Sequence, residues 1–175
     1  GYSSPDKIRA DWGPHLSAEM VGMLVRVAGL KGTAAKEQLA RARQVVSVPW
    51  DAAMQVFMHN DMPRWENIVL KAIPSAAKLS PDCFGVIVSI AYNRGPSFSR
   101  AGDRYKEMRA IKQHIEAGKY SLVPADIKAM ARLWPGVPGL IARRGREALL
   151  FQKGLNAVAA RAVGAVDDNE GALDM

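Results

Sequence analysis

The chain has 175 residues and a mass of 19.0 kDa, and 49% of its residues are apolar, which is enough for one globular domain with a sizeable core. No apolar run reaches the roughly 18 to 20 residues of a membrane-spanning helix, and the first residues lack the basic-then-apolar pattern of a signal peptide. The formal net charge is +7, although residues 164–175 contain four acidic residues and no basic one. The body of the chain is therefore expected to attract polyanions such as nucleic acid, anionic lipid or bacterial wall polymers.

Apolar residues recur at helical spacing along the first half of the chain, between glycine and proline residues that break helices. The segment 46–48 is too short to predict a strand, and no other segment has the alternating pattern of one. The helices predicted in this half cover about 5–12, 17–27, 33–45, 49–58 and 65–72.

The stretch 80–95, SPDCFGVIVSIAYNRG, predicts a buried central helix at about 80–94. Ser80 can cap its first turn, Pro81 fits a position where no N–H is needed, and Gly95 can end it in the left-handed conformation. Apolar side chains point in every direction around its axis, which is typical of a buried helix. The single cysteine, Cys83, lies among them and is predicted to be a small core residue rather than a nucleophile.

Three further helices are predicted in the second half, at about 103–117, 124–134 and 140–163. Beyond them the composition becomes small and acidic, which favours a flexible tail over 164–175. The sequence thus predicts a mainly α fold, with a single helical domain over 1–163.

Polar side chains gather where the central helix ends. Tyr92, Asn93 and Arg94 could contribute to a binding site or could satisfy carbonyls at the helix end, and both interpretations stand. Trp134, just before a Pro-Gly break, could be a core residue or a platform for a sugar. Arg144 lies on the apolar stripe of the last helix and needs a partner, either on a neighbouring helix or in a substrate.

Two other patterns in the sequence do not indicate a functional site. Arg143 and Glu147 are one turn apart and are predicted to form a solvated ion pair. The histidines His15, His59 and His114 are far apart in sequence, so we predict solvated side chains and no metal site. No glycine-rich loop follows a strand, and no nucleotide or other cofactor is predicted.

Three segments resemble the C-terminal lobe of phage-type lysozymes, glycoside hydrolase family twenty-four and its relatives. They are IAYNRG, GDRYKEMRAI and RLWPG..GLIARRGREALLF, in that order, and the opening GYSSPDKIRADWG adds to the resemblance. It covers most of the chain and is strongest from about 79 to 155. The positions that carry it are Tyr92, Asn93, Gly95, Trp134, Gly139, Leu140, Arg143, Arg144 and Glu147.

The resemblance implies a lysozyme-like fold and cleavage of the β-1,4 bond between N-acetylmuramic acid and N-acetylglucosamine in peptidoglycan, as in phage endolysins or antibacterial effectors. It places substrate contacts at Tyr92, Asn93, Arg94 and Trp134, with Arg143 and Arg144 as structural or cleft arginines. The catalytic glutamate of the family precedes a β-hairpin with a Thr-x-Gly-x-Gly pattern, and nothing here matches it. We therefore expect the catalytic residues upstream of Gly1 or on a partner chain, and action on the wall from the periplasm or after release by a phage or a secretion system.

Glycoside cleavage needs a carboxylic acid and a second carboxylate. Asp103 and Glu107 are the in-chain substitutes nearest to the expected cleft. The glutamates predicted to be solvated charges are Glu19, Glu37, Glu66, Glu107 and Glu116.

Two alternatives remain open. A catalytically inactive wall-binding or interaction domain is favoured by the missing glutamate. A basic nucleic-acid-binding module is disfavoured, because Lys and Arg residues are scattered over many helices and no aromatic row suggests base stacking.

Overall fold

A computed structural model describes the backbone of residues 2–170 and the side chains of residues 2–161. The described residues form helices, turns and loops, without a strand among them, which confirms the mainly α prediction. Within them, no helix combines the length and the apolar character needed to cross a bilayer. The α-helices are α1 (Pro5–Trp12), α2 (Ala18–Arg26), α3 (Gly32–Val45), α4 (Trp50–Val56), α5 (Met62–Ala72), α6 (Pro81–Arg94), α7 (Lys106–Glu116), α8 (Val123–Ala129) and α9 (Pro138–Glu170).

The chain divides into two compact units, residues 1–64 and residues 65–175. The single domain predicted over 1–163 stays a prediction. Of the tail predicted over 164–175, the backbone of 171–175 and all of the side chains lie outside the described residues.

The N-terminal residues of the first unit are tied to α1 through a buried carboxylate. The Tyr2 hydroxyl donates to Oδ2 of Asp11 at 2.7 Å, and the Arg64 guanidinium donates to the same oxygen at 3.0 Å. Burial and the hydrogen bond to Asp11 raise the pKa of Tyr2 to about 12. The carboxylate of Asp11 is therefore satisfied although it is buried.

Helix α4 continues into α5 without the break that the sequence predicts between 58 and 65. A π-helical turn, Phe57–Asp61, joins the two helices. Pro63 follows this turn directly as the second residue of α5, and a proline inside a continuous helix removes one backbone hydrogen bond.

Helix α3 does not bury the face that the sequence assigns to it. Helical spacing predicts an inward stripe of Ala35, Leu39 and Ala42, but none of the α3 residues is buried and Leu39 is 45% exposed. The prediction of an inward face is wrong because the stripe is mostly alanine, and small side chains gain little free energy from burial.

Helix α6 is the buried centre of the second unit, as predicted. Ser80 accepts a hydrogen bond from the Cys83 backbone N–H, and Gly95 ends the helix with φ of 80°. Helix α9 packs on both α6 and α8, and α7 packs on α8. The residues of α6 that are buried are Cys83, Val86, Ile87, Val88, Ile90 and Ala91.

Cys83 is a core residue, as predicted. Its Sγ lies 3.3 Å from the Phe151 carbonyl oxygen, and burial raises the pKa of the thiol. A thiol held in the protonated form within the core is a poor nucleophile.

The helices predicted around α7 and α8 are shorter than expected. Residues Asp103–Tyr105 form a 3₁₀ turn before α7, and Met130–Leu133 form another after α8. Trp134 therefore follows a helix end and lies in the break before α9.

Candidate functional site

The end of α6 presents three consecutive side chains from a rigid, buried helix. Tyr92 and Asn93 are exposed, and Arg94 is half-buried. The next residue, Gly95, turns the chain away with a positive φ, which an L side chain rarely adopts. The sequence thus determines the residue at which α6 ends and its side chains become accessible to solvent.

Trp134 contacts side chains of both α6 and α9. The guanidinium carbon of Arg94 is 5.2 Å from the centroid of the indole ring, and that of Arg144 is 5.7 Å away. Nη2 of Arg144 also lies 3.4 Å from Oδ1 of Asn93. The structure therefore brings Asn93, Arg94, Trp134 and Arg144 together, although the sequence separates them by up to 51 residues.

The indole of Trp134 is half-buried and supports two guanidinium groups. Cation–π contacts of this kind hold arginine side chains in place. Trp134 is thus neither a fully buried core residue nor an open platform for a sugar, because it is half-buried and two guanidinium groups lie against its ring. Its contact with substrate stays a prediction.

Tyr92 provides the exposed aromatic side chain at this end of α6. It is 48% exposed, and its ring meets that of Trp65 edge to face, with centroids 5.5 Å apart and planes at 67°. Trp65 lies at the start of the helix predicted at 65–72. No local signal in the sequence links it to Tyr92, because the contact joins α5 to α6.

Behind these residues lies a network of buried charges on one face of α9. Arg144 is fully buried, and its Nη2 is 2.8 Å from Oε2 and 2.9 Å from Oε1 of Glu147. Burial lowers the pKa of Arg144, and the Glu147 carboxylate acts in the opposite direction. The charge of Arg144 is thus neutralised within α9, and the same guanidinium also contacts Asn93 at the end of α6 and Met130 after α8.

The solvated ion pair predicted for Arg143 and Glu147 is wrong. Glu147 is 7% exposed, and its Oε1 accepts hydrogen bonds from Arg143 at 3.0 Å and from the Ser89 hydroxyl at 2.7 Å. Arg143 also donates to the Ser89 hydroxyl at 2.8 Å. Spacing along a helix predicts the contact between Arg143 and Glu147, but the burial arises because α6 packs on this face of α9.

Glu107 is also not the solvated charge that the sequence predicts. It is 5% exposed and binds Nε of Arg132 at 2.5 Å. The same guanidinium binds Asp103 Oδ2 at 2.6 Å, which lowers the pKa of Asp103, while both carboxylates raise that of Arg132. A general acid must be free to approach the leaving oxygen of the substrate, and both carboxylates are held by one guanidinium. Asp103 and Glu107 therefore do not form the free acid pair of a glycosidase.

The remaining sequence-predicted charges have ordinary surroundings. Glu19, Glu37 and Glu116 are exposed, as predicted, whereas Glu66 is half-buried. Among the described side chains, no group of three or more His, Cys, Asp or Glu residues is placed to hold a metal ion.

The three histidines do not share one environment. His15 and His59 are exposed, as predicted. His114 departs from the prediction, because its Nδ1 lies 2.7 Å from Oδ2 of Asp126 and the side chain is half-buried between α7 and α8.

No match to this chain was found among protein-family models, curated proteins or solved structures. The resemblance to phage-type lysozymes stays a prediction carried by the residues at the end of α6, in the break before α9 and in α9 itself.

Proposed function

We propose that this chain binds peptidoglycan and takes part in its hydrolysis within an intact bacteriolytic protein, a muramidase acting on the β-1,4 bond between N-acetylmuramic acid and N-acetylglucosamine. The observation that carries the proposal is the end of α6. There, Tyr92 and Asn93 are exposed and Arg94 is half-buried, while the buried Arg144 contacts Asn93 and shares the Trp134 ring with Arg94.

This combination suits a glycan that carries acidic groups. An aromatic ring offers apolar area to the face of a sugar, and an amide can both donate and accept hydrogen bonds with hydroxyl and acetamido groups. Guanidinium groups bind carboxylates through a planar fork of donors. Because these groups extend from a buried helix, they lose little conformational entropy when a ligand binds.

The catalytic acid belongs to a different part of the intact protein in this proposal. Asp103 and Glu107 are bound to Arg132, and Glu147 is enclosed by Arg143, Arg144 and Ser89. None of these carboxyls has the freedom that protonation of a leaving oxygen needs. An acid upstream of Gly1 or on a partner chain would complete the site.

The Tyr92→Ala variant is expected to weaken binding to purified peptidoglycan by about tenfold, because it removes the exposed ring while leaving the buried face of α6 unchanged. Binding can be measured by co-sedimentation of the chain with purified wall sacculi over a range of sacculus concentrations. Leu149→Ala is the matched control, since Leu149 is an exposed apolar residue of α9 in the same unit. Equal affinities for Tyr92→Ala and the unaltered chain would argue against a site at the end of α6.

Hydrolysis is tested by the release of soluble muropeptides from sacculi, identified by mass. We expect no release by this chain alone and release when the chain is joined to the native segment that precedes it. Release by the chain alone would contradict the assignment of the acid to another segment and would make Asp103→Asn and Glu107→Gln the next variants to test. Binding without release in both forms would instead support the alternative of an inactive wall-binding domain, which the arginine-bound carboxylates favour.

A further inference from the structure

The loop that follows α6, residues 95–105, is held by arginine side chains that bind its backbone carbonyls. Nη2 of Arg94 donates to the Arg104 carbonyl at 2.8 Å, and Nη1 of Arg109 donates to the carbonyls of Arg100 and Gly102 at 2.6 and 2.9 Å. Arg132 donates to a further carbonyl of the same loop at 2.7 Å. We call this segment the arginine-clamped loop. Three arginine side chains thus bind the backbone of this loop.

The arginine-clamped loop has an excess of positive charge. Its own arginines, its clamping arginines and the adjacent lysine provide six cations, against two carboxylates that both bind Arg132. Arg100 and Arg104 are exposed, and Arg100 lies over the Tyr105 ring at 5.1 Å. The cations of this surface are Arg94, Arg100, Arg104, Lys106, Arg109 and Arg132.

Arg94 lies at the junction between this loop and the end of α6 and forms no ion pair within the part of the chain that the structure describes. Its Nη1 is buried and has no hydrogen-bond acceptor among the described residues. Burial and the nearby charge of Arg104 lower the pKa of Arg94. Bringing an anion close to these guanidinium groups would offset the repulsion between them.

We propose that the arginine-clamped loop binds carboxylate groups of the peptides attached to the peptidoglycan glycan strand, with Arg94 at the centre and Arg100 and Arg104 beside it. This inference rests on the proposed function, because Tyr92 and Asn93 would contact the sugars of the same polymer. Asn93 and Arg94 are linked through Arg144 and the Trp134 ring, so one ligand carrying both sugars and carboxylates can span the two residues. A single-stranded nucleic acid would instead use a row of aromatic side chains for base stacking. Of the two aromatic residues in the loop, Phe98 is buried and the ring of Tyr105 lies under Arg100.

The test uses wall sacculi stripped of phosphodiester polymers with hydrofluoric acid, before and after carbodiimide coupling of methylamine to their carboxylates. We expect the unaltered chain to bind stripped sacculi as well as untreated ones and to lose about tenfold in affinity when the carboxylates are amidated. Arg94→Gln and Arg104→Ala should each lose affinity for stripped sacculi by up to about tenfold and should be much less sensitive to amidation. Arg146→Ala is the matched control, because Arg146 is an exposed arginine on α9 in the same unit.

Each other result contradicts the proposal in a distinct way. Loss of binding on stripping would assign the anion to phosphate, and release of the chain by double-stranded DNA of equal total charge would indicate a site for polyanions in general. Unchanged binding after amidation, with Tyr92→Ala still impaired, would overturn the carboxylate site and leave the proposed function standing. Absence of binding to untreated sacculi would overturn both. If Arg94→Gln fails to fold, Arg104→Ala still tests the proposal. Arg104 is exposed and accepts the hydrogen bond from Arg94 through its backbone carbonyl, which the alanine variant keeps.

Discussion

Glu147→Ala is expected to lower the free energy of unfolding by about 3–5 kcal/mol, because it leaves a buried charge without its counterion. Arg144 is fully buried, and Glu147 supplies its only carboxylate in the described part of the chain. The same change removes the acceptor of the Ser89 hydroxyl, while Arg143 lies nearer to water and can be solvated. Urea denaturation followed by circular dichroism measures the effect.

Two further variants separate the lost ion pair from a general loss of packing. The double variant Arg144→Met with Glu147→Leu should recover most of the stability, because removing both charges is far less costly than removing one. Arg146→Ala, on the exposed face of the same helix, should change stability by no more than about 0.5 kcal/mol. A double variant as unstable as Glu147→Ala would show that shape, rather than charge, governs this position.

Gly154→Ala is expected to destabilise the protein by about 1–3 kcal/mol, although alanine is the better helix former. A Cβ at this position would lie 2.8 Å from Cys83 Sγ, 2.8 Å from Ser80 Oγ and 3.0 Å from Asp82 Cβ. Ser80 caps α6 and Cys83 is fully buried, so neither side chain can move away without cost. Thermal or urea unfolding of the variant tests the expectation.

Gly145 provides the matched control for this prediction. It lies in the same helix, and a Cβ there would have no atom within 4 Å outside the local helix backbone. Gly145→Ala is therefore expected to raise the free energy of unfolding by about 0.4–1 kcal/mol, through helix propensity and reduced entropy of the unfolded chain. A stabilising Gly154→Ala would mean that α6 and α9 pack less closely than the structure indicates.

These two glycines show a limit of sequence interpretation. Both lie inside the helical pattern 140–163, and propensity alone predicts the same gain for alanine at each. Their difference depends on which side of α9 faces the start of α6. That relation joins residues about 70 positions apart in the sequence, and helical periodicity does not specify which helix will cover a given face.

The charged residues show the same limit. Spacing along α9 predicts that Arg143 can reach Glu147, and the apolar stripe predicts that Arg144 needs a partner. Whether a carboxylate is solvated depends on the elements that cover it. Glu147 is covered where α6 packs on α9, and Glu107 meets Arg132 from a segment 25 residues away. The sequence also does not predict the arginine-clamped loop. Its arginines bind backbone carbonyls, and every residue has a carbonyl, so no sequence pattern identifies the acceptors.

By itself, the sequence determined the mainly α character, the buried central helix and the residues at which that helix begins and ends. These properties depend on interactions within a few residues: the Ser80 cap, Pro81 in the first turn, apolar side chains all around the axis and Gly95 at the end. Only the tertiary structure decided which charges are buried and paired, which aromatic ring faces outward and which arginines surround Trp134. Those outcomes depend on contacts between residues far apart in the chain, and their free energies are set by burial and by partner geometry, which local sequence does not encode.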